Sequence, residues 1–544
     1  MGPRVRGDDI SRDKSYLILG RYGLRNLNRH RHRPMRNLFS LIGRFRKDRR
    51  GNIAVVFAIA LLPILSAIGC AVDYSLATRM RAKLQAAADA AGVASIAQKS
   101  PGYTAAAAMT GDGSVTAAVT DANKVFDGNM SGITGYTNIS RTSTVTKTGI
   151  KLAANVTFSA DVPVVFMKVI GYQKLTVTGS STSAASLPPY LDFYLMLDVS
   201  GSMGLPSTDN EQTRLSLINP DNFGQYPGGC TLACHFAVQN VCSDTGTNAQ
   251  KYPTNNYCMG YAISRVSPSA YKNLVQLNSG HLPSSMISGL PDSLYTVLPA
   301  VSSCPTDGTS ACIQLRADAV GYAVNQLFIT ANASMKVSNQ FRIGLYPFIQ
   351  DLYEYFKLTS SINGSSTNSS TINYAAANLA SQLDTNTNGN LGSGGTHIDT
   401  ALTTLNGLIK TVGDGSSSTN TQPFVFLVTD GAQDPQTKAL NQSGGWAGSN
   451  HATVIDPTKE CAKIKKAGII ISVLYIPYQP IQNPNPSFAG DEDDYANNNI
   501  KNIPSSLAGC ASPNFFFTAN TPADITTALN AMFQQSLKTA HITN

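Results

Sequence analysis

Phe193-Tyr194-Leu195-Met196-Leu197-Asp198-Val199-Ser200-Gly201-Ser202-Met203-Gly204 is the stretch on which the reading of this chain turns. Its first five residues form an unbroken apolar run, the mark of a strand. The strand delivers Asp198 into a turn of small residues. The pattern Asp-x-Ser-x-Ser then sets one carboxylate and two hydroxyls, Asp198, Ser200 and Ser202, at alternate positions of a single loop. Hard oxygen donors converging this way suit a divalent cation such as Mg2+. Taken alone, the same residues read equally well as turn formers.

Two distant stretches complete the pattern. Gly392-Ser393-Gly394-Gly395-Thr396-His397-Ile398-Asp399 combines glycines, which let backbone approach a site, with the Thr396 hydroxyl. A helix follows, with Ile398, Leu402, Leu405 and Ile409 on one face. Pro423-Phe424-Val425-Phe426-Leu427-Val428-Thr429-Asp430-Gly431 is a buried-type strand ending in a carboxylate. Together the three pieces resemble the metal-ion-dependent adhesion site of the von Willebrand factor A (VWA) domain. The resemblance implies five ligands, Asp198, Ser200, Ser202, Thr396 and Asp430, around a divalent cation, Mg2+ first and Mn2+ or Ca2+ next. It implies a coordination position left open for a carboxylate from a partner protein. His397 is read as pointing away from the site, and Asp399 as a helix cap.

The rest of the C-terminal chain alternates strands and helices. Val320, Val324, Leu327 and Phe328 share a helix face, with Arg316 and Asp318 on its early turns. Gln340 to Gln350 reads as a strand and Leu352 to Thr359 as its hairpin partner. Gly468 to Ile476 reads as a central strand and Asn514 to Thr518 as a short last one. Thr521-Pro522-Ala523-Asp524 opens a final helix with a capping box. The fold class is therefore α/β, a doubly wound and mostly parallel sheet over about residues 189–540, with ligands at the strand C-terminal ends. From about residue 205 to 310 the alternation gives way to Gly, Pro, Asn, Ser and Cys. This insertion carries Cys230, Cys234, Cys242, Cys258 and Cys304, with Cys312 just beyond. Six cysteines allow 15 pairings, which stay open. Cys461 and Cys510 lie apart and are expected to pair with each other. Cys230-Thr231-Leu232-Ala233-Cys234 has no second pair to make a zinc site, so disulfides are expected.

Charge is unevenly spread along the 544 residues. Residues 1–50 hold 15 Lys and Arg against 4 Asp and Glu, a net of +11, while the remainder holds 26 against 29. The net charge of +8 thus belongs to a local flank, and nucleic-acid binding is not expected of the folded body. Ile53 to Val72 is a 20-residue run without a charge, bounded by Arg50 and Asp73. As a helix it reaches about 30 Å, a bilayer's hydrocarbon thickness. The basic cluster before it predicts a cytoplasmic N-terminus, with residues 73–544 outside the inner (cytoplasmic) membrane. Met35 is an alternative start to Met1. Leu76, Met80, Leu84, Ala87, Ala91 and Ala94 then continue one helical face, so a single helix over about 52–98 is expected.

Arg49-Arg50-Gly51-Asn52-Ile53-Ala54-Val55-Val56-Phe57-Ala58, Pro63, Ala71-Val72-Asp73-Tyr74 and Leu84-Gln85-Ala86-Ala87-Ala88-Asp89-Ala90-Ala91 occur in that order. They resemble the N-terminal segment of TadG-like proteins of the bacterial tight-adherence (Flp) pilus assembly systems. Related pseudopilins carry a Glu five residues after the processing-site Gly, where this chain has Val56. Retention as an uncleaved anchor is therefore expected.

The domain plan is a basic segment over 1–50, the transmembrane and extended helix over 51–98, a small α+β pilin-like stalk with linker over 99–188, and the VWA domain over 189–540. Within the stalk, residues 100–135 lack clear periodicity. Thr137 to Thr148, Ile150 to Ala160 and Lys174 to Gly179 read as strands, Asp161 to Gly171 as a short helix, and Ser180 to Pro189 as the linker. The functional expectation is a membrane-anchored pilus-assembly component that binds a protein partner, from the assembly apparatus or the cell surface, through the metal site. The alternative is a surface adhesin or matrix-binding receptor outside assembly. No nucleophile–base arrangement is present in the sequence, so an enzyme is not expected.

Overall fold

The computed structural model describes residues 52–212, 304–307, 314–384, 389–392, 394–435, 451–480 and 492–542. The basic segment 1–50 and Cys230, Cys234, Cys242, Cys258 and Cys312 lie outside them. The chain forms two compact units, Met1–Ala77 with Pro163–Leu175, and Thr78–Val162 with Thr176–Asn544.

Helix α1 runs from Asn52 to Ser95 with Pro63 inside it. Among the described residues it is the one helix long and apolar enough to cross a membrane. From Ile53 to Val72 the large apolar side chains are exposed, and Gly69 is buried. From Ala77 onward only one face is buried, through Met80, Leu84, Ala87, Ala88 and Ala91. A helix apolar all round needs an apolar solvent, whereas a one-sided stripe needs only a neighbouring sheet. The stripe finds one: Gln85 donates to the Ser180 carbonyl at 2.8 Å.

That neighbour is a four-stranded sheet of order β1-β2-β3-β4: Gly113–Ser114, Thr137–Thr148, Lys151–Pro163 and Lys174–Ser186. On β3, Leu152, Ala154, Val156, Phe158 and Ala160 are buried, the period of two that a one-sided sheet imposes. Residues 100–135 differ from the expectation. They hold α2, Pro101–Ala108, and α3, Thr116–Met130. The buried residues of α3 are Ala118, Ala122, Phe126 and Met130, a strict four-residue spacing. Two of the four are alanines, so the stripe has little hydropathy contrast with the other Ala and Thr around it. Residues 180–186 are strand rather than linker, because Ser, Thr and Ala on an exposed strand face resemble linker composition. Asp161 to Gly171 is likewise not one helix. Strand β3 continues to Pro163, and only Met167–Ile170 make a 3-10 turn, ended by Gly171 at φ +92°.

The second sheet has six strands in the order β10-β9-β8-β5-β6-β7. They are β5 Leu191–Asp198, β6 Phe341–Phe348, β7 Phe356–Thr359, β8 Gln422–Thr429, β9 Ile470–Tyr475 and β10 Phe516–Thr518. Every neighbouring pair is parallel except β6 with β7. Strand β5 is central and wholly buried, as its unbroken apolar run requires. Phe193, Leu195 and Leu197 face a layer containing α4, Arg316–Ser334, and the C-terminal helix Pro522–Ile542. Phe193 lies 5.2–6.1 Å, centroid to centroid, from Phe341, Phe424, Phe426 and Phe533. Tyr194 and Met196 face the opposite layer, with α5, Ile398–Leu408, α6, Glu460–Lys466, and α7, Ile503–Cys510. The final helix, α8, opens with the expected capping box. Thr521 N–H donates to Asp524 at 3.0 Å and Asp524 N–H to Thr521 Oγ1 at 3.2 Å.

Cys461 and Cys510 form the expected disulfide, joining α6 to the end of α7. Cys304 is also disulfide-bonded. The Cys461–Cys510 bond closes a loop of separation 49. Chain-entropy reasoning assigns such a loop a stabilisation of about 4 kcal/mol. The double variant Cys461→Ala/Cys510→Ala is expected to lose about 2–4 kcal/mol, read as a lower urea midpoint in detergent-solubilised protein.

Candidate metal centre

The order of the sheet positions the site. From β5 the chain crosses to β6 on one side, and from β8 it crosses to β9 on the other. Strands β5 and β8 are adjacent, so the connections leaving their C-terminal ends diverge and open a crevice there. Register places Leu197 beside Val428, so Asp198 ends β5 level with the end of β8, and Asp430 follows one residue past it. Two carboxylates therefore meet at the switch point, and both are fully buried.

Asp198 is held firmly. One oxygen accepts the Ser200 N–H at 2.9 Å, and the other accepts the Thr429 hydroxyl at 2.6 Å. The Ser200 and Ser202 hydroxyls are 3.3 Å apart. Ser200 is buried and Ser202 partly exposed, on the 3-10 turn Gly201–Gly204. Neither oxygen of Asp430 has a hydrogen-bond partner of good geometry. Its nearest opposite charge is Arg316, with Nη1 to Oδ2 at 3.6 Å. Arg316 is buried too, and its Nη2 donates to the Pro477 carbonyl at 3.2 Å.

Thr396 arrives by a longer route to the same end of the sheet. Gly394 and Gly395 take φ of +83° and +77°, left-handed values that side chains resist. Gly394 N–H donates to Asp384 at 2.8 Å, and Asp384 N–H to the Val199 carbonyl at 3.2 Å. Thr396 itself pairs through its backbone with Asp434, four residues past Asp430. His397 N–H is fixed to the Ile349 carbonyl at the end of β6. Thr396 is buried. The sequence-predicted residues thus come from three loops gathered at one end of β5, β8 and β6. Asp399 lies on the first turn of α5 and exchanges hydrogen bonds with Gln433, at 3.1 and 2.9 Å.

Sequence reasoning assigned no site role to Arg316, Thr429 or Asp384. A signal existed for Arg316. It is the first residue of α4, where the helix dipole disfavours a cation. An arginine there needs a separate anionic partner. Thr429 and Asp384 act through contacts between distant loops, which no local spacing announces.

Electrostatics match the geometry. Burial, and then the neighbouring Asp430 charge, push the Asp198 carboxyl up to about 7 from its ordinary 3.8. Burial raises Asp430 as well, against the lowering effect of Arg316. Two buried carboxylates, one of which (Asp430) has oxygens without a well-formed hydrogen bond, beside two serine hydroxyls, fit a hard divalent cation. Among the described residues no three His, Cys, Asp or Glu cluster as a metal site, so the donor set rests on carboxylate and hydroxyl oxygen together.

At its rim the site meets the insertion. Leu205 accepts from Arg316 N–H at 2.8 Å, and Ser207 N–H donates to the Gln314 carbonyl at 2.9 Å. Pro206 bridges Leu315. The two ends of the Cys-rich segment are therefore joined within three residues of Met203 and at Arg316.

The described fold is a doubly wound, mostly parallel α/β sheet with two buried carboxylates at its switch point, preceded by a long apolar helix. Residues 51–99 match the family model "Putative Flp pilus-assembly TadE/G-like". No curated protein matches the chain. Among solved structures it is similar to the pilus adhesin SpaC from Lactobacillus rhamnosus GG, at 12% identity and TM-score 0.31, covering 75% of this chain and 35% of that one. It is similar to the vWF domain of the type V pili tip protein Mfa5 from Porphyromonas gingivalis, at 11% identity and TM-score 0.26, covering 66% and 97%. It is also similar to the PilB minor pilin from Streptococcus sanguinis, at 9% identity and TM-score 0.27, covering 74% and 78%.

Two outcomes follow for metal-free protein. Between about pH 4 and 7 folded Asp198 keeps a proton that the unfolded chain has lost, so stability falls as pH rises through that window. With chelator present, the melting temperature is expected to be lower at pH 7.5 than at pH 5. Asp198→Asn should remove most of that difference, and Mg2+ should raise the melting temperature more at pH 7.5. Arg316→Met leaves Asp430 without its counter-charge. It is expected to destabilise the chelated protein by about 3 kcal/mol, with much of the loss recovered on adding Mg2+.

Proposed function

We propose that this chain is a membrane-anchored component of a bacterial tight-adherence pilus assembly system, and that it captures a partner protein through a metal-ion-dependent site. The observation that carries the reading is the union, in one chain, of the 51–99 segment with a buried two-carboxylate centre at the sheet's switch point. Helix α1 crosses the inner membrane with the basic N-terminal flank in the cytoplasm, and the sheet domains lie on the periplasmic side.

In this reading Asp198, Ser200, Ser202, Thr396 and Asp430 hold a divalent cation, directly or through water, with Mg2+ first in order. Such a cation supplies a Lewis-acidic position that accepts one more oxygen. The chain's own residues do the rest. Thr429 and the Ser200 amide fix the orientation of Asp198. Arg316 offsets part of the negative charge of Asp430. Incomplete neutralisation then favours a carboxylate donated by the partner, and the insertion at the rim selects which one. The role is binding rather than catalysis.

The test is affinity capture by the purified full chain, with and without chelator, from cells that make the pilus. Proteins retained only with metal, and lost in Asp198→Ala, identify the partner. In cells, Asp198→Ala is expected to reduce attachment at least as severely as it reduces capture. Intact piliation and attachment in both Asp198→Ala and a gene deletion would overturn the proposal. A surface adhesin is the second reading, favoured by the same metal centre. Antibody labelling of intact cells separates the two, since the assembly component stays unlabelled.

A further inference from the structure

The segment joining β3 to β4 presents an apolar tip that nothing in its own unit covers. Val165 is 65% exposed, Phe166 49%, Val169 82%, Ile170 53% and Tyr172 55%. Five large apolar or aromatic residues within eight positions is far more than an ordinary soluble turn displays. Lys168 and Lys174 are exposed on the same segment.

The tip is locked onto α1 at one level. Asp73 accepts three backbone N–H groups, from Val165 at 3.0 Å, Phe166 at 2.8 Å and Met167 at 2.7 Å. One turn earlier, Gly69 lets Phe166 lie against the helix backbone. A Cβ at Gly69 would fall 2.5 Å from Phe166 Cβ. Gly69 is inside the uncharged run that ends at Val72, and Asp73 is the first charge after it. The tip is thus fixed within about one helical turn, about 5.4 Å, of the end of the run. The exposed apolar band of α1 and the exposed apolar tip are continuous at this level.

We propose that residues 164–173 are a second membrane contact, dipping into the headgroup layer of the bilayer that α1 crosses. This rests on the reading of α1 as a spanning helix. Val165, Phe166, Val169 and Ile170 enter the acyl boundary, and Tyr172 takes the interfacial position that amphipathic rings favour. Lys168 and Lys174 meet lipid phosphates. The Asp73 carboxylate needs no water at that depth, because three N–H donors satisfy it. A helix with a rigid side contact resists tilt and rotation, so the contact fixes how α1 leaves the membrane.

The experiment places tryptophan in the full chain, reconstituted into phosphatidylcholine/phosphatidylglycerol vesicles. The natural Trp446 is first replaced (Trp446→Phe). Val169→Trp reports the tip, and Leu62→Trp reports mid-span. Val169→Trp is expected to be quenched about twofold by lipid brominated near the headgroup, and to resist aqueous iodide. Quenching by iodide but not by brominated lipid overturns the proposal, since the tip is then in water. Quenching by neither also overturns it, since protein then covers the tip. Leu62→Trp separates the two readings. If it is quenched by deep-brominated lipid while Val169→Trp is not, only the tip contact falls. If neither is quenched by lipid, the spanning reading falls as well.

Discussion

Two carboxylates share a dry crevice at the point where the sheet reverses direction, and the architecture around them follows from that constraint. Asp198 and Asp430 have no solvent to stabilise their charge, and Asp430 also lacks well-formed hydrogen bonds to its oxygens. A free carboxylate prefers water by a wide margin, so this placement persists only because the sheet around it is strongly favoured. Phe193 and its aromatic neighbours on one face, and Tyr194 and Met196 on the other, supply that stability. The centre is therefore a destabilised element held inside a well-packed frame. Its remaining needs are met by Thr429, the Ser200 amide and Arg316.

The apolar helix imposes a different constraint at the other end of the described chain. Its two halves obey different solvents. The large apolar side chains of the first half are exposed, and the second half is buried along one stripe. The change falls between Val72 and Ala77, marked by Asp73. That carboxylate accepts three backbone amides where Asp198 accepts one amide and one hydroxyl, and it serves to clamp a neighbouring segment.

Legibility in the sequence followed hydropathy contrast. Strands β5 and β8 could be read because each is an unbroken apolar run ending in Asp. Helix α1 could be read because twenty residues carry no charge, and α8 because Thr521 and Asp524 stand three apart. Helix α3 was hidden because Ala118 and Ala122 form half of its buried stripe, and alanine looks the same on either face. Strand β4 was taken to stop early because serine and threonine serve an exposed strand face as well as a linker. At the site, five donor positions could be proposed through the resemblance to the VWA metal site, since each lies at the end of a strand or in a glycine loop. Arg316, Thr429 and Asp384 could not, because their contacts span more than a hundred residues or join separate loops.

The pairing at the base of the insertion has a consequence for chain length. Leu205, Pro206 and Ser207 pair with Arg316, Leu315 and Gln314, so the chain is held together on either side of residues 208–313. Doubling the length of such a loop changes its closure cost by only about 0.6 kcal/mol. Changes in its length can be absorbed at small cost while the sheet, Asp198, Asp430 and Arg316 keep their places.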